Sequence, residues 1–286
     1  MKNRIWLFYA ILTTLTWGIW GALIEIPERA GFPATLGYSV WAITMIPCAL
    51  VVLTMIKFKL ETTPRSVFLG MTIGLTGAGG QIILFEALRL GPAYIIFPIV
   101  SLYPVVTILL SLWLLKERAN RRGWIGIFFA LAAIFLLSYL KPDQLDLSGY
   151  LWLALSLLVF VMWGVQAVVM KMANNTMKAE SIFTYMAISA VLLVPFAVWM
   201  TDFGDQVNWG FKGPYLAAMI HLLNAIGALS LVYAMRNGKA IIVTPMTSLS
   251  PMITIALSLA IYCVFPNLFM IVGFVLALIA IYLFAS

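Results

Sequence analysis

The polar and aromatic side chains able to hold a solute are few, and they recur at matched spacing. Trp17 and Trp20 stand three residues apart, so on a helix they share a face. Trp163 and Gln166 repeat that spacing. Trp17 lies about 12 residues into an apolar run, about 18 Å deep at 1.5 Å of rise per residue. That is far from the interfacial belt where membrane tryptophans collect. An indole at that depth needs a partner for its N–H and offers a flat wall for a ring or an organic cation. His221, the single histidine, has Asn224 three residues on. It is a candidate solute ligand and, by its titration range, a candidate for coupling to protons. Glu86 and Gln81 add polar groups to one apolar run, with Arg89 as the i+3 partner that would neutralise Glu86. Ser101, Tyr103 and Ser248 flank prolines. No cysteine or histidine cluster with metal spacing exists, and no paired acids or Ser–His set suggests a catalytic centre, so no metal, cofactor or enzymatic reaction is expected.

The elements that must position these residues follow from composition. Of 286 residues, 64% are apolar and only 9% charged, against an ordinary quarter. Mean hydropathy is +1.06. A soluble surface needs a wide charged layer, so a cytosolic enzyme, a nucleic-acid binder and a disordered chain are all excluded. The apolar runs, cut where charge, Pro, Gly or Asn cluster, give ten helices over roughly 5–25, 35–56, 66–88, 92–115, 122–140, 148–171, 180–200, 213–235, 240–263 and 267–285. The fold class is an all-α integral membrane protein with the lipid bilayer as its solvent. With the N-terminus placed inside and spans alternating, 13 of the 17 Lys and Arg fall on one side and four on the other. That asymmetry predicts an inner-membrane protein with both termini cytoplasmic. Cys48 and Cys263 each sit inside an apolar run and read as small packing residues.

The chain repeats itself. Residues 87–115 lie over 234–262 at a constant shift of 147, with 14 of 29 positions identical. The matches include Arg89/Arg236, Gly91/Gly238, Pro98/Pro245, Ser101/Ser248, Pro104/Pro251, Thr107/Thr254 and Ser111/Ser258. Trp17-Gly18 lies over Trp163-Gly164 at a shift of 146. Apolar bias accounts for matched Leu and Ile, but not for matched Arg, Gly, Pro and Ser in register. Each half, residues 1–141 and 146–286, therefore holds five helices. Five is odd, so the second half enters the membrane from the opposite face, an inverted repeat of the kind that gives two mirror-like conformations. Pro98, Pro104, Pro245 and Pro251, read as lying inside helices, would each remove a backbone hydrogen bond and supply a hinge.

These residues resemble the drug/metabolite transporter superfamily, and specifically its EamA-like members. The resemblance rests on the Trp-Gly in the first helix of each half and the A-x-R-x-G-x-A turn into a Pro-x-x-S-L-x-P helix. The Leu115-Lys116-Glu117-Arg118 ending of the fourth helix carries it too. It covers essentially the whole chain. One departure is that Val264 and Phe265 stand over Glu117 and Arg118. The resemblance implies an alternating-access carrier of a small organic solute, an amino acid or related metabolite, with a central cavity lined by the first, third, fourth, sixth, eighth and ninth helices. The residues themselves also fit a choline-like or drug-like cation, by Trp17, Trp163, Tyr103 and Glu86, or a sugar, by Gln81, Gln166, Asn224 and the Ser/Thr set. No G-x-x-x-x-G-K-S/T sequence is present, so the energy would come from a gradient of protons or another coupling ion, or from exchange. Nucleic acid is not an expected partner.

Overall fold

A computed structural model describes residues 4–91, 93–138, 150–204, 206–262 and 267–285. Cys263, Val264, Phe265 and the junction between the halves lie outside the described residues. Ten helices are long and apolar enough to cross a membrane: α1 (Ile5–Arg29), α2 (Ala34–Met55), α3 (Pro64–Leu90), α4 (Ile95–Trp113) and α5 (Arg121–Ser138) in the first half. The second half holds α6 (Leu151–Asn174), α7 (Ala179–Trp199), α8 (Phe211–Asn237), α9 (Ala240–Ile261) and α10 (Leu268–Ala285). No strand occurs among the described residues. Where water is absent, a helix satisfies every backbone group within itself, which is why unbroken apolar runs take this form.

Among the interrupted spans, α4 and α9 break at the same place in each repeat. The first segment of α4 ends at Ser101 and the next begins at Pro104. In α9 the segments are Ala240–Thr247 and Ser250–Tyr262. Proline causes this, because it lacks the N–H that would continue the ladder. The four prolines are not equivalent, which corrects the expectation that all lie within helices. Pro98 and Pro245 are interior to the first segments, whereas Pro104 and Pro251 open the second ones.

The halves are interwoven. The first helix of each packs antiparallel on the third helix of the other. Along α1 and α8, Trp6 meets Gly238, Tyr9 stacks on Tyr233 at 5.1 Å, and Trp20 meets His221. Along α3 and α6, Gly91 meets Trp152 and Gly80 meets Trp163. In an alternating chain α1 and α3 run the same way. Since α6 opposes α3, it also opposes α1, and the repeats are inverted. Helices α5 and α10 follow the rule: Gly126 seats Phe284 and Gly273 seats Leu137, positions exchanged by the 147 shift. Glycine is required at these crossings, because a Cβ would meet an aromatic ring or a leucine side chain.

Loop contacts set the sidedness. Asn208, before α8, donates its N–H to Gly31 O at 3.0 Å and its side-chain amide to Ala30 O at 2.8 Å, so the α1–α2 and α7–α8 connections share one face. On the other face Glu61 accepts from Lys178 N at 2.9 Å, and Lys239 Nζ donates to Arg118 O at 2.6 Å. There Glu117 also accepts from Ile241 N at 3.0 Å, capping the start of α9. That cap gives the Leu115-Lys116-Glu117-Arg118 motif a structural task.

Candidate functional site

The predicted residues fall into two groups related by the repeat. In the first, Trp17 Nε1 of α1 donates to the backbone carbonyl of Asn224 on α8 at 3.2 Å. In the second, Trp163 Nε1 of α6 donates to the carbonyl of Gly77 on α3 at 3.2 Å. Residues 77 and 224 are one shift of 147 apart, so the same bond is made twice. A second pair obeys the same symmetry: Thr107 Oγ1 donates to Gly164 O at 3.1 Å, and Thr254 Oγ1 to Gly18 O at 2.9 Å. Each bond joins one half to the other. In a bilayer such interhelical bonds are worth about 0.6 kcal/mol each, too little to lock the halves and enough to set their register.

The first group is richer in polar atoms. Trp20 Nε1 donates to His221 Nδ1 at 3.1 Å, with ring centroids 6.0 Å apart. Trp41 of α2 donates to Asn224 Oδ1 at 3.0 Å and packs edge-on against Tyr38 at 5.2 Å. His221 is buried and its Nε2 has no partner among the described residues. Trp41 and Tyr38 carry no motif. The one available signal was depth, since Trp41 stands eight residues into α2 rather than at its end.

In the second group Gln166 and Ser189 fill the spaces that side chains at Gly77 and Gly74 would need. Tyr103 packs edge-on to Trp163 at 5.9 Å and its hydroxyl accepts from Ser248 Oγ at 2.8 Å, joining the breaks of α4 and α9. Ser101 and Gln81 are half-buried nearby in sequence, with no side-chain hydrogen bond among the described contacts. Glu86 stands apart from both groups. At the end of α3 it holds Arg89 in a bidentate pair, Nε to Oε2 at 2.9 Å and Nη2 to Oε1 at 2.5 Å.

A cavity of about 410 Å³ opens at the α1 N-terminal end, lined by Ile5, Tyr9, Ile56, Lys178, Glu180, Tyr233, Arg236 and Asn237. It is not the central cavity that the resemblance implies. Trp17 lies eight residues beyond Tyr9, about 12 Å along the helix. Lys171, absent from the expected set, ties α6 to this end by donating to Met235 O at 2.8 Å and Gly238 O at 2.6 Å. A cation there complements the carbonyl-rich end of α8.

The EamA-like transporter family matches residues 4–139 and again 147–286. The chain belongs to the EamA-like transporter family. It is thus a multi-pass membrane protein of a family of small-solute transporters, within the drug/metabolite superfamily. An uncharacterised protein of Methanocaldococcus jannaschii is 30% identical over 129 residues, which are 45% of this chain and 92% of that protein. The matched length is that of one five-helix half. The crystal structure of another protein superposes with a TM-score of 0.75, covering 96% of each chain at 16% identity, a likeness of fold.

Proposed function

We propose that this EamA-like protein is a secondary carrier of a small organic solute, an amino acid or related metabolite. In this reading it sits in the inner (cytoplasmic) membrane with both termini cytoplasmic. The halves rock about the pseudo-two-fold axis, so that the solute path faces each aqueous phase in turn. The observation that carries the reading is the pair of repeated cross-half bonds, Trp17 to Asn224 O with Trp163 to Gly77 O. Two halves that make the same contact in opposite orientation have two related packings available, which is what alternating access needs. The Tyr103–Ser248 bond breaks the symmetry, because the repeat-related position of Tyr103 is Ser250, too short to reach Ser101 in the same way. The two packings therefore differ in energy, and the 410 Å³ cavity is the entrance that this one leaves open at the cytoplasmic face.

Energy comes from a gradient or from exchange. Protons coupled through His221 would have to displace the Trp20 bond to Nδ1, and of the spans that meet there, α1, α2 and α8, only α1 carries acids, Glu25 and Glu28 near its end. Equal pH dependence of flux in wild type and in His221→Gln would remove the histidine from coupling. The carrier itself is tested by purifying the chain, ranking metabolite classes by the rise in melting temperature each produces, and following the best of them into proteoliposomes. Protein-dependent flux that saturates with solute is expected. Folded protein that moves no solute of any class overturns the proposal.

A further inference from the structure

Trp20 of α1 and Trp41 of α2 occupy the side-chain acceptors of His221 and Asn224 on α8. An indole N–H only donates. His221 Nδ1, which receives the Trp20 proton at 3.1 Å, must therefore be the bare nitrogen, and the neutral ring carries its hydrogen on Nε2. Asn224 must likewise turn its oxygen to Trp41, 3.0 Å away, which leaves the Nδ2 hydrogens facing elsewhere. Nε2 is buried without a partner, in a residue only 5% exposed, and no described residue accepts from Asn224 Nδ2. The two residues are three apart on one helix, so their donors emerge on one face. In front of Nε2 stands Gly37, where an added Cβ would lie 3.5 Å from the nitrogen, and its missing side chain keeps that space open. A buried donor with no acceptor is costly, so a site built this way is completed by an acceptor brought from outside. The repeat-related positions are Gly74 and Gly77, and Ser189 and Gln166 fill the space there. The donor pair thus exists once per molecule.

We propose that Trp20 and Trp41 hold His221 and Asn224 as a donor pair that recognises an oxygen acceptor on the transported solute, such as an amide or ketone carbonyl, and disfavours ammonium-type cations. The proposal rests on the carrier reading and narrows its substrate class from free amino acids, which carry an ammonium and a carboxylate, to related uncharged metabolites. No Asp or Glu occurs on α2 or α8. The acids of α1, Glu25 and Glu28, stand at its far end, five and eight residues beyond Trp20, and Glu25 is engaged by Arg29 at 2.7 Å. The cations of α8 stand at its two ends, Lys212 nine residues before His221 and Arg236 twelve after Asn224, which favours an uncharged carbonyl over a carboxylate.

Because His221 is the only histidine, tag-free protein labelled with ¹⁵N-histidine in nanodiscs gives one imidazole to observe. The expected spectrum is a neutral ring protonated at Nε2, with Trp20→Phe mixing the two tautomers. Adding 3-phenylpropionamide should move the Nε2 resonance, whereas 3-phenylpropylammonium, of the same skeleton, should leave it in place. A ring protonated at Nδ1, or an ammonium that moves the resonance as far as the amide does, overturns the proposal. Vesicle flux is scored separately. Flux of a solute that never perturbs His221 overturns the donor pair and leaves the carrier standing, while its loss in Asn224→Leu with the fold intact supports the pair.

Discussion

At the scale of single residues, the glycines separate what is packed from what is kept open. An added Cβ at Gly227 would lie within 2.6 Å of Trp17 and Thr16, and neither can retreat without losing its seat between α1 and α8. Gly227→Ala should therefore cost about 1–3 kcal/mol, the usual penalty of overpacking. At Gly37 the nearest neighbour of such an atom is His221 Nε2 at 3.5 Å, an ordinary contact. Gly37→Ala should be neutral or stabilising by up to about 1 kcal/mol, since alanine is the better helix former, yet it fills the space before the donor pair and should weaken solute binding. Unfolding in mixed detergent and melting-temperature shifts with solute would read the two effects. An equal loss of stability in both variants would refute the distinction. Sequence alone could not have ranked these glycines. It showed that Gly74 and Gly77 stand over His221 and Asn224, but which side chains fill a missing Cβ depends on the partner helix. Trp41 escaped notice for a related reason. In a span bounded by lipid on one side and protein on the other, both faces are apolar, so no polar stripe marks the buried side.

At the scale of elements, the breaks in α4 and α9 are joined across the halves by one side-chain bond. Matched prolines marked both spans as interrupted, but each span holds two candidates, and only Pro104 and Pro251 stand at the breaks. The direct bond across the breaks was not readable. It joins Tyr103 of one half to Ser248 of the other, and these are not repeat-related positions. An interhelical bond of this kind is worth about 0.6 kcal/mol, which corresponds to roughly a threefold change in the ratio of two packings. Tyr103→Phe and Ser248→Ala should each shift the rate of solute exchange by about that factor. The double variant should shift it no further, because one bond is lost in all three. Effects that multiply would show that the hydroxyls act separately. The prolines act on the same element in a different way. Pro104 opens the second segment and lacks the N–H that would continue the first, so Pro104→Ala should preserve the fold and stiffen the joint, seen as slower exchange at unchanged melting temperature.

At the scale of the whole molecule, two independent lines reach one arrangement of the chain. Thirteen cations against four assign the even-numbered connections, α2–α3 through α8–α9, and both termini to one aqueous phase. The loop contacts pair the connections, though not the termini, without reference to charge: Glu61 meets Lys178 and Lys239 meets Arg118 on one face, and Asn208 meets Gly31 on the other. Charge counting works here because a single misplaced span would exchange every later loop, so a skew this strong survives only for the right number of spans. Packing is blind to which phase is the cytoplasm, and only the charge skew speaks to that. Cysteines placed at Thr62, in the α2–α3 loop, and at Gln206, in the α7–α8 loop, decide the matter in a background with Cys48 and Cys263 replaced. Both positions are exposed. In intact cells a membrane-impermeant maleimide should label Gln206→Cys and spare Thr62→Cys, and in inverted vesicles the preference should reverse. Labelling of both from one side would break the inverted repeat itself, since the two loops are separated by five spans, and an odd number of crossings must change sides.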